Sequence, residues 1–153
     1  MSKMTYEQAL NRLAVYCSRA ERCQADIRRK MDLWEISDTE QKKIIQYLRQ
    51  EKFLDESRYC RAFVNDKIKY NRWGIHKIKY ELAKKQVSEI LIREALENID
   101  SEENLRQLRL LIEQKRKSVQ GKNDFEVNQK LIHFAASRGY SLQDIGRVLK
   151  DGD

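Results

Sequence analysis

Proline is absent from the 153 residues, and glycine occurs only five times. Tight hairpin turns depend on these two residue types, so the chain has little of what an antiparallel sheet needs. Residues that favour helices, such as Leu, Lys, Glu, Arg and Gln, are plentiful instead. The shortage of turn residues therefore predicts an all-α protein.

Cysteine and histidine are scarce as well. The cysteines Cys17, Cys23 and Cys60 are odd in number and show no Cys-x-x-Cys spacing, so we expect reduced thiols and neither a disulfide framework nor a zinc site. The histidines, His76 and His133, lie in unrelated settings. No phosphate-binding glycine loop or catalytic motif accompanies them. We therefore expect a binding protein that is not an enzyme and that uses no metal or cofactor.

Long apolar runs are missing too. The N-terminal stretch MSKMTYEQAL is polar where a signal peptide would be apolar, and no segment approaches the length of a membrane span. Together with the expected reduced thiols, this predicts a cytoplasmic protein that does not associate with a membrane.

Positive charge is concentrated in one segment. The chain has a formal net charge of +7, and residues 61–85 hold eight Lys or Arg but only two Asp or Glu. A solvated basic face that only keeps the protein soluble is one interpretation. The concentration of charge favours the other interpretation, a surface that faces a polyanion.

Apolar residues recur at helical spacing in three rounds of three helices. Thr5-Tyr6-Glu7-Gln8 and Ser37-Asp38-Thr39-Glu40 are capping boxes that open the first and third helices. The third helix is predicted to turn Ile44, Tyr47 and Leu48 inward. A further apolar residue followed by Ser precedes the last helix of each round, in Glu35–Ser37, Gln86–Ser88 and Gly139–Ser141.

This spacing of about fifty residues indicates tandem repeats that share a core. The predicted repeats are residues 1–54, 55–100 and 101–153, with an additional glycine-containing loop at 119–124 in the last. A three-helix unit of this kind resembles a helix-turn-helix, whose last helix enters the DNA major groove. Carboxylates or apolar residues open these helices, so sequence-specific reading of bases is not expected.

The tetrapeptide Lys-Ile-Lys-Tyr occurs twice, at 67–70 and 77–80, on either side of Trp73-Gly74. We interpret the copies as the end of one helix and the middle of the next, with each Ile buried. Arg61, Asn65, Lys69 and Arg72 follow helical spacing and are predicted to form one basic stripe. The predicted nucleic-acid or filament contacts are Arg61, Lys67, Lys69, Arg72, Trp73, Lys77, Lys79 and Lys84.

Aromatic residues alternate with these cations. Trp73, Tyr70 and Tyr80 could stack on exposed bases or anchor a protein interface. The alternative is that Trp73 and Tyr70 fill the corner between two helices. The sequence leaves both open.

The central segment resembles the RecX family of recombination regulators. The family pattern of an Asp, an Arg-Tyr pair, a basic helix, a Gly and a second basic helix is matched by Asp55, Arg58, Tyr59, Gly74, Ile78, Leu82 and Val87. Ser18–Arg22 is similar to the opening unit of the family, and Arg138–Ser141 is similar to its closing unit. Trp73 and Cys23 depart from the usual pattern.

The resemblance implies an elongated, curved molecule that acts as a monomer and binds in the groove of a RecA filament on DNA. It implies that the protein restrains strand exchange and ATP hydrolysis by RecA in recombination, DNA repair and the SOS response, with phosphate contacts to single- or double-stranded DNA. The alternatives are a nonspecific DNA- or RNA-binding protein that acts without RecA, and a structural adaptor that binds no nucleic acid.

Overall fold

The computed structural model describes residues 4–151, and over this range the chain forms nine α-helices and no strand. The all-α prediction is confirmed. The helices are α1 (Tyr6–Arg19), α2 (Gln24–Leu33), α3 (Asp38–Gln50), α4 (Glu56–Lys69), α5 (Ile75–Lys84), α6 (Glu89–Glu97), α7 (Ser101–Arg116), α8 (Asp124–Ser137) and α9 (Leu142–Asp151). Of the described helices, none is both long and apolar enough to cross a membrane.

The start of α1 is the predicted capping box. The Gln8 N–H donates to the Thr5 hydroxyl over 3.1 Å, and the Thr5 N–H donates to the Gln8 side-chain oxygen over 3.0 Å. The inward placement of Tyr47 on α3 is wrong, because 38% of this residue is exposed. The buried stripe of α3 runs along Gln41, Ile44, Ile45 and Leu48, and Tyr47 lies beside it.

The turn before the last helix of each predicted repeat has the same backbone structure. One residue in each turn has a positive φ: Glu35 (56°), Gln86 (62°) and Gly139 (98°). The N–H of the next, apolar residue donates to the carbonyl five residues earlier, in the pairs Ile36 to Met31, Val87 to Leu82 and Tyr140 to Ala135. This is the bonding of a Schellman helix end. The predicted serine caps are also confirmed, since Ser37, Ser88 and Ser141 each accept an N–H from three residues later.

The repeated tetrapeptide adopts the predicted arrangement. Helix α4 ends at Lys69, within the first copy, and α5 holds the second copy in its middle. Both isoleucines, Ile68 and Ile78, are buried. The chain therefore uses the same four residues in two helices, each with its Ile inside.

The first compact unit contains the residues up to 62 together with Leu82–Ile92. Apolar residues of α1, α2 and α3, joined by Leu54, form its core: Ala9, Leu13, Ile27, Met31, Ile44, Ile45, Leu48 and Leu54. Next to this core, the Asp26 carboxylate accepts from Lys85 Nζ over 2.9 Å and from the Cys23 N–H over 3.3 Å. These bonds outweigh the effect of burial, which acts in the opposite direction, and lower the pKa of Asp26.

The three cysteines are free thiols in this unit, with Cys23 and Cys60 buried and Cys17 partly so. Burial raises the pKa of the Cys60 thiol to about 11. A thiol with so high a pKa stays protonated at neutral pH and is a poor nucleophile. Cys60 therefore acts as a small core residue.

The second compact unit contains Phe63–Glu81 together with the residues from 93 onward. Helices α7, α8 and α9, together with Tyr140 in the turn between α8 and α9, supply its core: Leu108, Leu111, Ile112, Leu131, Ala135, Tyr140, Ile145 and Val148. The corner at Gly74 is tied to the turn before α9. The Gly74 N–H donates to the Arg138 carbonyl over 2.7 Å, and the His76 N–H donates to the Gly139 carbonyl over 3.1 Å.

Candidate nucleic-acid interface

Trp73 is the centre of a cation and aromatic cluster in the second unit. Its indole meets the Phe63 ring edge to face, with 6.3 Å between the centroids. The ammonium groups of Lys67 and Lys77 lie 4.8 Å and 4.6 Å from the indole centroid. Each such contact at an exposed site is worth about 0.5–1 kcal/mol. The cluster therefore holds two of the predicted contact lysines in place beside the corner.

Arg72 does not belong to the predicted basic stripe. Helix α4 ends at Lys69, and Arg72 follows it with a positive φ of 51°, which takes it off the helical spacing. Its guanidinium donates to the side-chain oxygens of Gln107 and Gln114, each over 3.3 Å. The stripe prediction is wrong for this residue because it assumed an unbroken helix. Arg72 instead joins the corner to α7.

Lys69 and Lys79 are exposed. Lys69 borders a cavity of about 500 Å³ that also includes Asp100, Glu103 and Arg106. Hydrogen bonds from Arg106 and Gln107, helped by the charge of Lys69, lower the pKa of Glu103 to about 2. Glu103 is therefore ionised at neutral pH and offsets part of the positive charge beside Lys69.

Two predicted contacts, Arg61 and Lys84, lie in the first unit. Both side chains are exposed. Arg61 donates to the Ser57 hydroxyl one turn earlier on α4, over 2.7 Å. The contact role of all eight predicted residues stays a prediction.

The two aromatic residues at the corner differ in their surroundings. Trp73 is half-buried against Phe63, as the corner-filling alternative requires. Tyr70 is 80% exposed and fills no corner, and Tyr80 is 63% exposed. Of the three aromatics, Tyr70 is thus the one most open to a ligand.

A second group of cations lies in the same unit, and the sequence pattern gave no sign of it. Lys115 Nζ and the Arg138 guanidinium both lie 4.6 Å from the centroid of the Phe134 ring. Residues 86–153 are close to neutral in total, so a count of charge by segment shows no basic patch there. Only the packing of α7 against α8 brings these cations together.

Comparison with known proteins identifies the family. Residues 55–96 match the model of the second three-helix domain of RecX, and residues 101–149 match that of the third, together more than half of the chain. A regulatory protein RecX of Clostridium botulinum (strain Eklund 17B) is 33% identical over 127 residues, which cover 82% of this chain and 59% of the relative. The chain thus spans about three fifths of the length of that relative.

Solved structures share the fold. A crystal structure of regulatory protein RecX superposes with a TM-score of 0.87 at 20% identity, covering 95% of this chain and 73% of the other. The RecX structure from Lactobacillus salivarius superposes with a TM-score of 0.82 at 18% identity, covering 95% of both chains. With two domain models matched in order and the fold shared, the chain belongs to the RecX family.

Proposed function

We propose that this protein binds the RecA filament on DNA and modulates RecA, mainly by inhibiting strand exchange and ATP hydrolysis, in recombination, DNA repair and the SOS response. Membership of a family whose relatives are named regulatory proteins supports a regulatory role. We further propose that it acts in the cytoplasm as a monomer, without a cofactor and without catalysing a reaction.

The observation that carries the proposal is the basic surface around the α4–α5 corner. Lys67 and Lys77 are held on Trp73, while Lys69 and Lys79 extend from the two helices into solvent. Lysine side chains suit contacts with phosphate, whereas α3, α6 and α9 open with acidic or apolar residues and are not suited to reading base edges. Such a surface fits DNA inside a filament, whatever its sequence.

The same surface supports a second candidate, a nonspecific DNA- or RNA-binding protein that acts without RecA. This candidate predicts strong binding to naked DNA that added RecA does not improve. The filament proposal predicts that the affinity rises when RecA coats the DNA. A structural adaptor that binds no nucleic acid would show binding that tolerates salt.

The test replaces Lys69 and Lys79 together by Ala and measures binding to RecA filaments on single-stranded DNA over a range of salt concentrations. Both side chains are exposed, so the fold should be kept, whereas Arg72 and Lys77 make internal contacts and are unsuitable. We expect weaker binding and a salt slope smaller by roughly 1–2, because about one counterion is released per phosphate contact.

The matched control is Lys117→Ala with Lys122→Ala, which removes the same charge from exposed positions of the same unit. The control should bind nearly as the parent does. Equal reductions in both double variants would mean that net charge, and not this surface, governs binding.

A further inference from the structure

A cavity of about 340 Å³ opens beside the Lys115 and Arg138 pair in the second unit. Three cations line it, Arg72, Lys115 and Arg138, and the other lining residues are uncharged. Its size lies at the lower end of the range for small-ligand sites. A cavity with this lining suits an anion of modest size.

No carboxylate among residues 4–151 forms an ion pair with the three cations of this cavity. Arg72 is bonded to the neutral amides of Gln107 and Gln114. Lys115 and Arg138 lie against the Phe134 ring, and neither forms an ion pair with a carboxylate among residues 4–151. The amides and the ring hold the cations in position but leave their charge available.

Tyr70 lies at the edge of the same cavity and is 80% exposed. An exposed ring beside fixed cations is the combination with which proteins bind single-stranded nucleic acids, since the ring stacks on a base and the cations neutralise phosphate. Asn71, Gln114 and Ser118 add hydrogen-bonding groups to the lining. The base and the phosphate of a nucleotide therefore each have a complementary group in this cavity.

We propose that this cavity binds one unstacked nucleotide of a single-stranded nucleic acid. Tyr70 stacks on the base, and Lys115, Arg138 and Arg72 face the phosphate. In a duplex both faces of each base are covered by its neighbours, so the site distinguishes single strands from duplex. The lysines of the α4–α5 corner cannot make this distinction, because single strands and duplex both offer phosphates to contact.

The inference rests on the proposed function only for its setting, a filament that encloses single-stranded DNA. Its test therefore uses no RecA, so the two proposals can fail separately. If the cavity does not bind single strands, the proposed inhibition of RecA can still be tested by the RecA experiments. If RecA is not inhibited, single-strand binding by the cavity can still be tested without RecA.

The experiment compares Tyr70→Ala with Phe125→Ala, which removes another exposed aromatic residue of the same unit, 72% exposed and outside the cavity. Fluorescence anisotropy measures the affinity for labelled oligothymidylate and for a duplex of the same length. Because base stacking on one aromatic ring contributes a factor of roughly 5–150 in affinity, Tyr70→Ala should weaken single-strand binding at least about fivefold. Its affinity for duplex, and both affinities of Phe125→Ala, should change less than about twofold.

The role of charge is tested with the double variant Lys115→Gln and Arg138→Gln, which removes two cations of the cavity. Its control is the double variant Arg147→Gln and Lys150→Gln, which removes a matched pair of exposed cations on α9. The cavity variant should reduce the single-strand salt slope by roughly 0.7, the contribution of the one phosphate that it no longer neutralises, and the α9 variant should not.

Competition with thymidine monophosphate separates a free nucleotide from one within a strand. Displacement of the oligonucleotide from the parent but not from Tyr70→Ala supports the site and shows that one nucleotide is enough. If only unlabelled oligonucleotide displaces the labelled one, and Tyr70→Ala still weakens single-strand binding, the site is supported and binds a nucleotide only within a strand. The proposal would be overturned if Tyr70→Ala weakened single-strand and duplex binding equally, or if it did not weaken single-strand binding. It would also be overturned if polyglutamate displaced the oligonucleotide to the same extent from the parent and from all these variants.

Discussion

Gly74 shows how one residue can determine the corner of the second unit. A Cβ at this position would lie 2.4 Å from backbone atoms of Gly139 and Tyr140, which is too close for any carbon. Because neither neighbour is the end of a flexible side chain, an alanine would force the backbones apart. We therefore expect Gly74→Ala to lower the free energy of unfolding by about 1–3 kcal/mol.

Gly146 provides the matched control, because a Cβ there meets no atom within 4 Å. It lies inside α9, where glycine costs conformational entropy, so Gly146→Ala should raise the free energy of unfolding by about 0.5–1 kcal/mol. Urea unfolding followed by far-UV circular dichroism measures both. Effects of the same sign would contradict the close approach at Gly74.

Asp26 should make the free energy of unfolding depend on pH in the acid range. Its pKa is lower in the folded protein than the ordinary value near 3.8, because hydrogen bonds from Lys85 and Cys23 favour the carboxylate more than burial disfavours it. A carboxylate of this kind contributes stability above the unfolded pKa and loses it as the pH falls below 3.8 through the folded pKa. Asp26→Asn should lower the free energy of unfolding at neutral pH by about 1.5–3 kcal/mol.

The check is the urea midpoint of each variant between neutral pH and strongly acid pH. Asp26→Asn should lose less stability on acidification than the parent does, whereas Asp66→Asn, at an exposed position of α4, should behave as the parent. An acid response that Asp26→Asn leaves unchanged would show that the Lys85 pair does not favour the ionised form.

At the residue scale, the sequence predicts exposure better than it predicts partners. The lysines at 69 and 79 and the buried isoleucines at 68 and 78 follow from helical spacing. The position of Arg72 does not follow from helical spacing. Arg72 itself has a left-handed backbone after the end of α4, and its side chain is directed to two glutamines far along the chain. Spacing rules describe continuous helices, and they do not apply to residues beyond the end of one.

At the scale of elements, the three turns that precede α3, α6 and α9 share one geometry with different residues. Gly139 occupies the positive-φ position in the third turn, while Glu35 and Gln86 occupy it in the first two. Residues with a Cβ are strained in this region, and glycine is not. Gln86→Gly should therefore raise the free energy of unfolding by about 0.5–1 kcal/mol.

Ala83→Gly, three residues earlier and within α5, is the control. There glycine replaces alanine in a right-handed helix and should lower the stability by roughly 0.5–1 kcal/mol. Thermal and urea unfolding of the two variants provide the comparison. A decrease in the stability of Gln86→Gly would contradict the assigned turn geometry.

The elements themselves were largely predictable. Capping boxes and serine caps mark the starts of α1, α3, α6 and α9, and apolar spacing marks the helices between them. The cavity beside Phe134 was not predictable, because its cations come from α7, the end of α8 and the α4–α5 corner. Residues so far apart in sequence meet only through packing.

At the scale of the whole molecule, the charge distribution and the family point to the same type of partner. The net charge of +7 is carried almost entirely by residues 61–85, and the two matched RecX domain models begin at residue 55 and continue to 149. The basic segment thus lies inside the second of the three-helix domains. The proposed binding to a nucleoprotein filament would account for both observations.

The most direct test of that account is the rate of ATP hydrolysis by RecA on single-stranded DNA as this protein is titrated from far below to near the RecA concentration. We predict inhibition at substoichiometric amounts, since one bound molecule that acts on a filament affects many RecA subunits. No effect until the protein competes for all of the DNA would contradict the proposal and would mean a nucleic-acid-binding protein that acts without RecA.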